Sequence, residues 1–266
     1  MWENRRSAMT SPRDYSSISP SAKSILLLKA GTALPYARQA AELLFGPEAL
    51  AALHDSSPYA AARRAHFDER ARSLDEALRQ ETSTIILELA AGLSFRGLAM
   101  VEARGVTYLD TDLPGMSALK AELIPRLPHA PRVGTLRVEP LNALDAEAFR
   151  SKVASLPPGP ISVIHEGLLM YLGPEEKARL ATSVREALLE RGGAWITADV
   201  YVRAPTRFAE DERSAKFRAD HRIEENKFAG WAEAQAFFES NGFEIARRLA
   251  PLGGGIRETW TLHARR

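Results

Sequence analysis

The stretch "TIILELAAGLSFRGLAM", Thr84 to Met100, followed by "VTYLDTDLPG", Val106 to Gly115, carries the reading of this chain. An apolar run ends in a small-residue turn with one glycine, a helix-like segment follows, and a second apolar run stops at two aspartates. In an open α/β sheet, ligands sit beyond the carboxyl ends of the strands where strand order reverses, which here means the loop after the first strand and the end of the second. Ala90, Ala91 and Gly92 let the backbone come close to a ligand, and the helix that follows offers unpaired N–H groups at its start. Asp110 and Asp112 close the second strand with carboxylates suited to accept from the two hydroxyls of a ribose. Together these features point to a nucleoside, although a packed turn beside a capping strand-end carboxylate would use the same residues. The dinucleotide fingerprint G-x-G-x-x-G is broken, because alanine stands where its first glycine would lie, and a pyrophosphate is correspondingly disfavoured.

Upstream, from Ser19 to Gln80, apolar residues recur at three- and four-residue steps, interrupted by Gly31, Pro35 and the "FGPEAL" turn, which predicts several helices. Residues 1–18, rich in Ser, Pro and Arg, read as a flexible arm. Downstream, "TIILELA", "VTYLD", "VGTLRVEPL", "ISVIHE" and "AWITADVY" are short β-rich runs. They alternate with helical segments such as "GPEEKARLATSVREALLERGG", the pattern of a parallel sheet. The tail adds a helix, "WAEAQAFFESNG", and two further runs, "FEIARRLA" and "GIRETWTLHA", joined through Pro251 and Gly253-Gly254-Gly255. Direct pairing of those two runs would be antiparallel.

With 266 residues, 45% of them hydrophobic, the chain can bury a full core. A formal charge of +1 makes no case for nucleic acid or an anionic membrane. The absence of cysteine removes disulfides, thiolate nucleophiles and zinc-thiolate sites together. No apolar run approaches the ~20 residues that span a bilayer, and the polar start is unlike a signal peptide, so a cytoplasmic location is expected. The histidines are scattered with no spaced ligand pair, so no metal is expected.

Three motifs in this order, "ILELAAGLSFRGLAM", "VTYLDTDLP" and "VIHEGLLMYLGPEE", resemble the "ELGAGLDTR", "EVDLP" and "EGLLMYL" of the leucine carboxyl methyltransferase family. The similarity extends upstream to "SAKSILLLKAGTALPYARQA" and "ERARSLDEAL". It implies a class I S-adenosylmethionine-dependent methyltransferase: an α/β fold with a seven-stranded, mostly parallel, Rossmann-like sheet whose last strand is antiparallel. The implied organisation is a helical N-terminal cap at 19–82 and a methyltransferase domain at 83–266, with a lid insert near 203–229. This sequence departs from the family at Ala90, which replaces glycine, and at Ser94-Phe95, which replace Asp-Thr, while Gly92 and Arg96 are kept.

The resemblance also assigns roles. Gly92 would lie under the methionine part of the cofactor, with Glu88 at the start of the same loop, and Asp112 or Asp110 would accept from the ribose. Lys23 matches a cofactor-contacting lysine, and Arg70 an arginine that grips the methionine carboxylate, a task its two-pronged fork suits. Leu141 and Asn142 follow the third strand, where the fold places adenine; Asn142 or Asp145 would serve equally as a helix cap. Glu166 is expected beside the sulfonium or the amino group. Apart from the resemblance, His165, which differs from the family's usual neighbour, and Asp199 are candidate bases by their own chemistry, and His165 should face away from Glu166 because adjacent strand residues point to opposite faces. Tyr171, Tyr201 and Arg203 are expected near the acceptor. In the charged insert, His221 is a further candidate base better read as a solvated residue, and Arg203, Arg207 and Arg222 would attract an acidic substrate or simply be hydrated. The expected activity is O-methylation of a carboxylate or hydroxyl on a small, natural-product-like molecule. The alternatives are a non-catalytic binder of S-adenosylmethionine or its product S-adenosylhomocysteine, and a nicotinamide-dependent reductase.

Overall fold

The computed structural model describes residues 19–51, 58–204, 212–251 and 255–266, so the arm at 1–18, Arg207, Gly253 and Gly254 lie outside the described residues. The helical preface consists of α1 (Ser19–Ala30), α2 (Ala37–Phe45), the short α3 (Pro47–Ala51) and the long α4 (Pro58–Arg79). The sheet strands are β1 (Ile85–Leu89), β2 (Thr107–Asp112), β3 (Thr135–Pro140), β4 (Ile161–His165), β5 (Gly193–Tyr201), β6 (Phe243–Leu249) and β7 (Arg257–Ala264). Between them run α5 (Arg96–Ala103), α6 (Pro114–Leu123), α7 (Ala146–Ala154), α8 (Pro174–Arg191), α9 (Glu212–Asp220), α10 (Ile223–Asn226) and α11 (Trp231–Ser240). All seven β-rich runs of the sequence are strands of one sheet.

The strand order is β3-β2-β1-β4-β5-β7-β6. β1 to β5 are parallel, and β7 runs antiparallel to both β5 and β6. Every residue of β1 and β4 is buried, which explains their unbroken apolar reading: helices cover both faces of a parallel sheet. Order reverses between β1 and β4, so the loops after Leu89 and His165 diverge there and leave a crevice.

One face packs Trp195, Phe243 and Trp260 against α8 and against Phe238 of α11, with Trp195 and Phe243 ring centroids 5.1 Å apart. The other face packs Leu74 and Leu78 of α4 and Val101 of α5 on Ile86, Tyr108 and Ile196. Helix α5 reaches that face through Gly97, where an added Cβ would lie 2.7 Å from the Tyr108 ring. A third cluster joins Leu26, Ala40 and Ala41 of the preface to Leu98, Met116 and Leu123. The preface is thereby held over the carboxyl edge of the sheet by apolar burial. No helix among the described residues is long and apolar enough to cross a membrane.

Candidate functional site

The turn after β1 is built from backbone geometry. Ala90 has φ 49° and Gly92 φ 52°. The left-handed conformation costs an L residue about 1–2 kcal/mol, so Ala90 is a strained position where glycine would be relaxed. The turn is held by Ala91 N donating to Thr111 O at 2.9 Å and Ser94 N donating to Ala91 O at 3.0 Å. Asp112, at the end of β2, accepts from Gly92 N at 2.6 Å and from Leu113 N at 2.7 Å. Burial raises its pKa, and the two amides oppose that rise.

The opposite wall is built from charge. Glu166 follows β4, and its side chain is 4% exposed. Its Oε1 accepts from Lys29 Nζ at 2.6 Å and from Arg70 Nε at 3.1 Å, and its Oε2 from Arg96 Nη2 at 3.0 Å. Burial alone would raise the Glu166 pKa, yet the three cations hold it well below the usual carboxylate range. Arg96 also donates to Glu88 Oε1 at 2.5 Å and pairs with Asp75. Gly167, at φ 82°, lies against Arg70: an added Cβ would be 3.4 Å from its Nη2.

Between these walls lies a cleft of about 1060 Å³, its open mouth included. Its roof is one face of α1, carrying Ser21, Ala22, Ile25, Leu26 and Lys29. Its floor and sides include Gly92, Asp112, Met116, Leu141, Asn142, Arg70, Glu166 and Tyr171. The expected Arg70, Gly92, Asp112, Leu141, Asn142, Glu166 and Tyr171 are therefore brought together. Asn142 Oδ1 accepts from Leu144 N at 3.0 Å, while the cap of α7 is Asp145, which accepts from Ala148 N at 3.0 Å.

Other expected residues lie elsewhere. Lys23 is exposed on a different side of α1, and Lys29, which the sequence reading passed over, is the lysine on the cleft face. Glu88 is fully buried behind the turn, taken by Arg96 and by Tyr108 OH at 2.6 Å. Asp110 is buried against Lys120 of α6; burial pushes its pKa up to about 7, with Lys120 opposing. Asp112 is thus the strand-end acid that reaches the cleft.

The two candidate bases do not line the cleft. His165 is fully buried, its ring 5.7 Å from that of Trp195 and its Nδ1 3.0 Å from Asp199 Oδ2. Asp199 lies where the β5–β7 register shifts, and bulges re-aim side chains. It accepts from the amides of Gly167 at 2.7 Å and Leu168 at 2.6 Å, so the pair shapes the loop bearing Glu166.

Tyr201 is buried behind Arg70, accepting from its Nη1 at 3.4 Å and lying 2.9 Å from His66 Nε2. Arg203 is exposed and donates to the Glu225 carbonyl at 2.9 Å, and Arg222 is exposed and bonded to Glu225 at 2.5 Å. His221, expected in solvent, is instead buried, its ring 4.4 Å from Phe217 and 6.0 Å from Tyr171. Aromatic packing of α9 on the cleft wall overrides the polar character of its sequence.

The model of the leucine carboxyl methyltransferase family matches residues 17–185. The chain belongs to this family. It is a methyltransferase family whose methyl donor is S-adenosylmethionine, and the matched span includes α1, Arg70, the Gly92 turn, Asp112 and Glu166. No curated protein matches the chain. Among solved structures, the apo form of the S-adenosylmethionine-dependent methyltransferase SibL is similar at TM-score 0.51 and 17% identity, over 82% of this chain and 62% of that one. The mitomycin 7-O-methyltransferase MmcR is similar at TM-score 0.50 and 14% identity, over 91% of this chain and 67% of that one. These likenesses concern the fold: the sheet of this family member is the methyltransferase sheet.

Proposed function

We propose that this chain transfers the methyl group of S-adenosylmethionine to an oxygen of a small molecule, a carboxylate oxygen in preference to a hydroxyl. The observation that carries the reading is the convergence on one cleft of Asp112 at one end and Arg70, Lys29 and Glu166 at the other. The lining suits the cofactor along its length. Leu141 and Met116 offer apolar faces to a flat base, and Asn142 a side-chain amide to its edge. Asp112 suits ribose hydroxyls. At Gly92 an added Cβ would meet only Ala22 within 4 Å, at 3.5 Å, so ligand can approach that backbone closely. Arg70 and Lys29 suit an amino-acid carboxylate, and the ionised Glu166 suits an ammonium or sulfonium.

When bound, the cofactor supplies a methyl group already activated on a cationic sulfur. The chain then has to orient both partners and exclude water. Glu166 provides fixed negative charge in a buried setting, and α1 roofs the cleft with Ala22, Ile25 and Leu26. Alignment at about 3 Å supplies much of the acceleration in such displacements.

The preference for a carboxylate rests on how the acids and the phenol of the described lining are held. Glu166 is pinned by cations, Asp112 is engaged by two amides, and burial raises the Tyr171 phenol above its usual value of 10.0. A carboxylate attacks without losing a proton, whereas an alcohol or phenol needs general-base help. Calorimetric titration with S-adenosylmethionine, S-adenosylhomocysteine and NADPH, then transfer of labelled methyl into a panel of acids and phenols, tests this. Tight NADPH binding with no response to the sulfur nucleosides would discard the reading. Transfer to phenols alone would replace the acceptor class, and nucleoside binding without transfer to any acceptor would favour a sensor.

A further inference from the structure

A second cavity, about 790 Å³ with its mouth included, lies behind the wall that holds Glu166, between α4, α5 and the segment joining α1 to α2. Its walls are mainly apolar, including Leu34, Pro35, Ala71, Ala99 and Met100. Its charged lining is mostly of one sign: Lys29, Arg79, Arg96 and Arg104, against Asp75. Lys29 and Arg96 are more than nine-tenths buried and already paired, Lys29 with Glu166 and Arg96 with Asp75, Glu88 and Glu166, so the rim is carried by Arg79 and Arg104, which are exposed at the cavity's edge. An apolar hollow under a guanidinium rim is complementary to a ligand with an apolar body and one negative end. A neutral apolar ligand would leave the rim unused, and a cationic one would be repelled.

This cavity shares a partition with the first. Lys29, Leu93 and Ser94 line both, and Arg96, which lines the second, donates to Glu166, which lines the first. We propose that the second cavity is a separate site for a small apolar monoanion, a medium-chain or aryl carboxylate, and that its occupancy is coupled to the cofactor cleft through Lys29 and Arg96. An anion that draws on either cation loosens its hold on Glu166, and linkage makes the effect reciprocal. The coupling rests on the cofactor reading above; the second site does not.

The test is calorimetric titration of the full chain with octanoate, with 1-octanol and octylamine as neutral and cationic controls. Octanoate is expected to bind in preference to both. Arg104→Glu, at an exposed position, is expected to weaken octanoate about fivefold, and Ala99→Phe, which fills the hollow, to weaken it at least as much. Neither change should alter S-adenosylhomocysteine binding in the absence of octanoate. Saturating octanoate should change S-adenosylhomocysteine affinity about fivefold without abolishing binding. Octanol binding as tightly as octanoate, or octanoate binding unchanged in both variants, would overturn the site. Full competition between octanoate and S-adenosylhomocysteine would place octanoate in the cofactor cleft and overturn it too. Failure of S-adenosylhomocysteine to bind, with octanoate binding that both variants weaken, would sink the cofactor reading and leave the second site standing.

Discussion

Glu166 and Asp112 line the same cleft but are held by opposite means. Glu166 is gripped by side chains 137, 96 and 70 residues distant, from α1, α4 and α5. Asp112 is held by backbone amides, one from its own neighbour Leu113 and one from the Gly92 turn. Their acidities diverge: the cations outweigh burial and hold Glu166 well below the ordinary value, whereas burial outweighs the amides and raises Asp112 above it. A buried carboxylate surrounded by cations is an electrostatic keystone whose removal strands charge. One held by amide groups belongs to a local turn, and its negative charge remains available to ligand hydroxyls.

The largest effect that separates the two is expected from Glu166→Gln. Lys29, Arg70 and Arg96 would lose a shared counter-charge in a buried setting, and urea unfolding should show a loss of about 3–5 kcal/mol. A loss below about 1 kcal/mol would mean that the cations are solvated and the contrast false. Next comes Arg70→Ala, expected to weaken S-adenosylmethionine by about 1.5–3 kcal/mol, the range for a charged hydrogen bond. The decarboxylated analogue should be little affected, and equal losses for both ligands would rule out a carboxylate clamp.

Asp112→Ala should weaken S-adenosylhomocysteine by about 1–3 kcal/mol while disturbing stability far less than Glu166→Gln does. Unchanged affinity by calorimetry would refute the ribose role. The smallest effect concerns His66, beside the charged end. Burial, then Arg70 and Arg257, pull its pKa from 6.5 down to about 3. The unfolded chain therefore binds the extra proton more readily than the folded one between those values. Stability is present above about 6.5 and is lost as pH falls towards about 3. His66→Gln should flatten that part of the stability profile, and an unchanged slope would remove His66 from the charged end.

The local parts of the site were legible because they are encoded within a few residues. The small-residue turn, the strand-end Asp112, the Glu166 motif and seven β-rich runs all signal through pattern. Residue identity without orientation misled in particular places. Lys23 and Lys29 lie in one helix, and its rotation decides which of them reaches the cleft. Strand alternation turns His165 away from Glu166, and its pairing with Asp199 across to β5 buries both outside the cleft. Gly97 had a readable place near the start of a helix, yet only the 2.7 Å approach to Tyr108 shows why a side chain cannot stand there.

By itself, the order of apolar runs, turns and motif residues determined the sheet, the family resemblance and the acids at the strand ends, because periodicity and short motifs act over neighbouring residues. Only the tertiary structure decided which cations meet at Glu166, that the candidate bases are sealed behind the cleft, and that a second cavity backs onto the first. Those facts depend on how helices far apart in the chain rotate and pack over one sheet edge, and burial then sets the charge that each group carries.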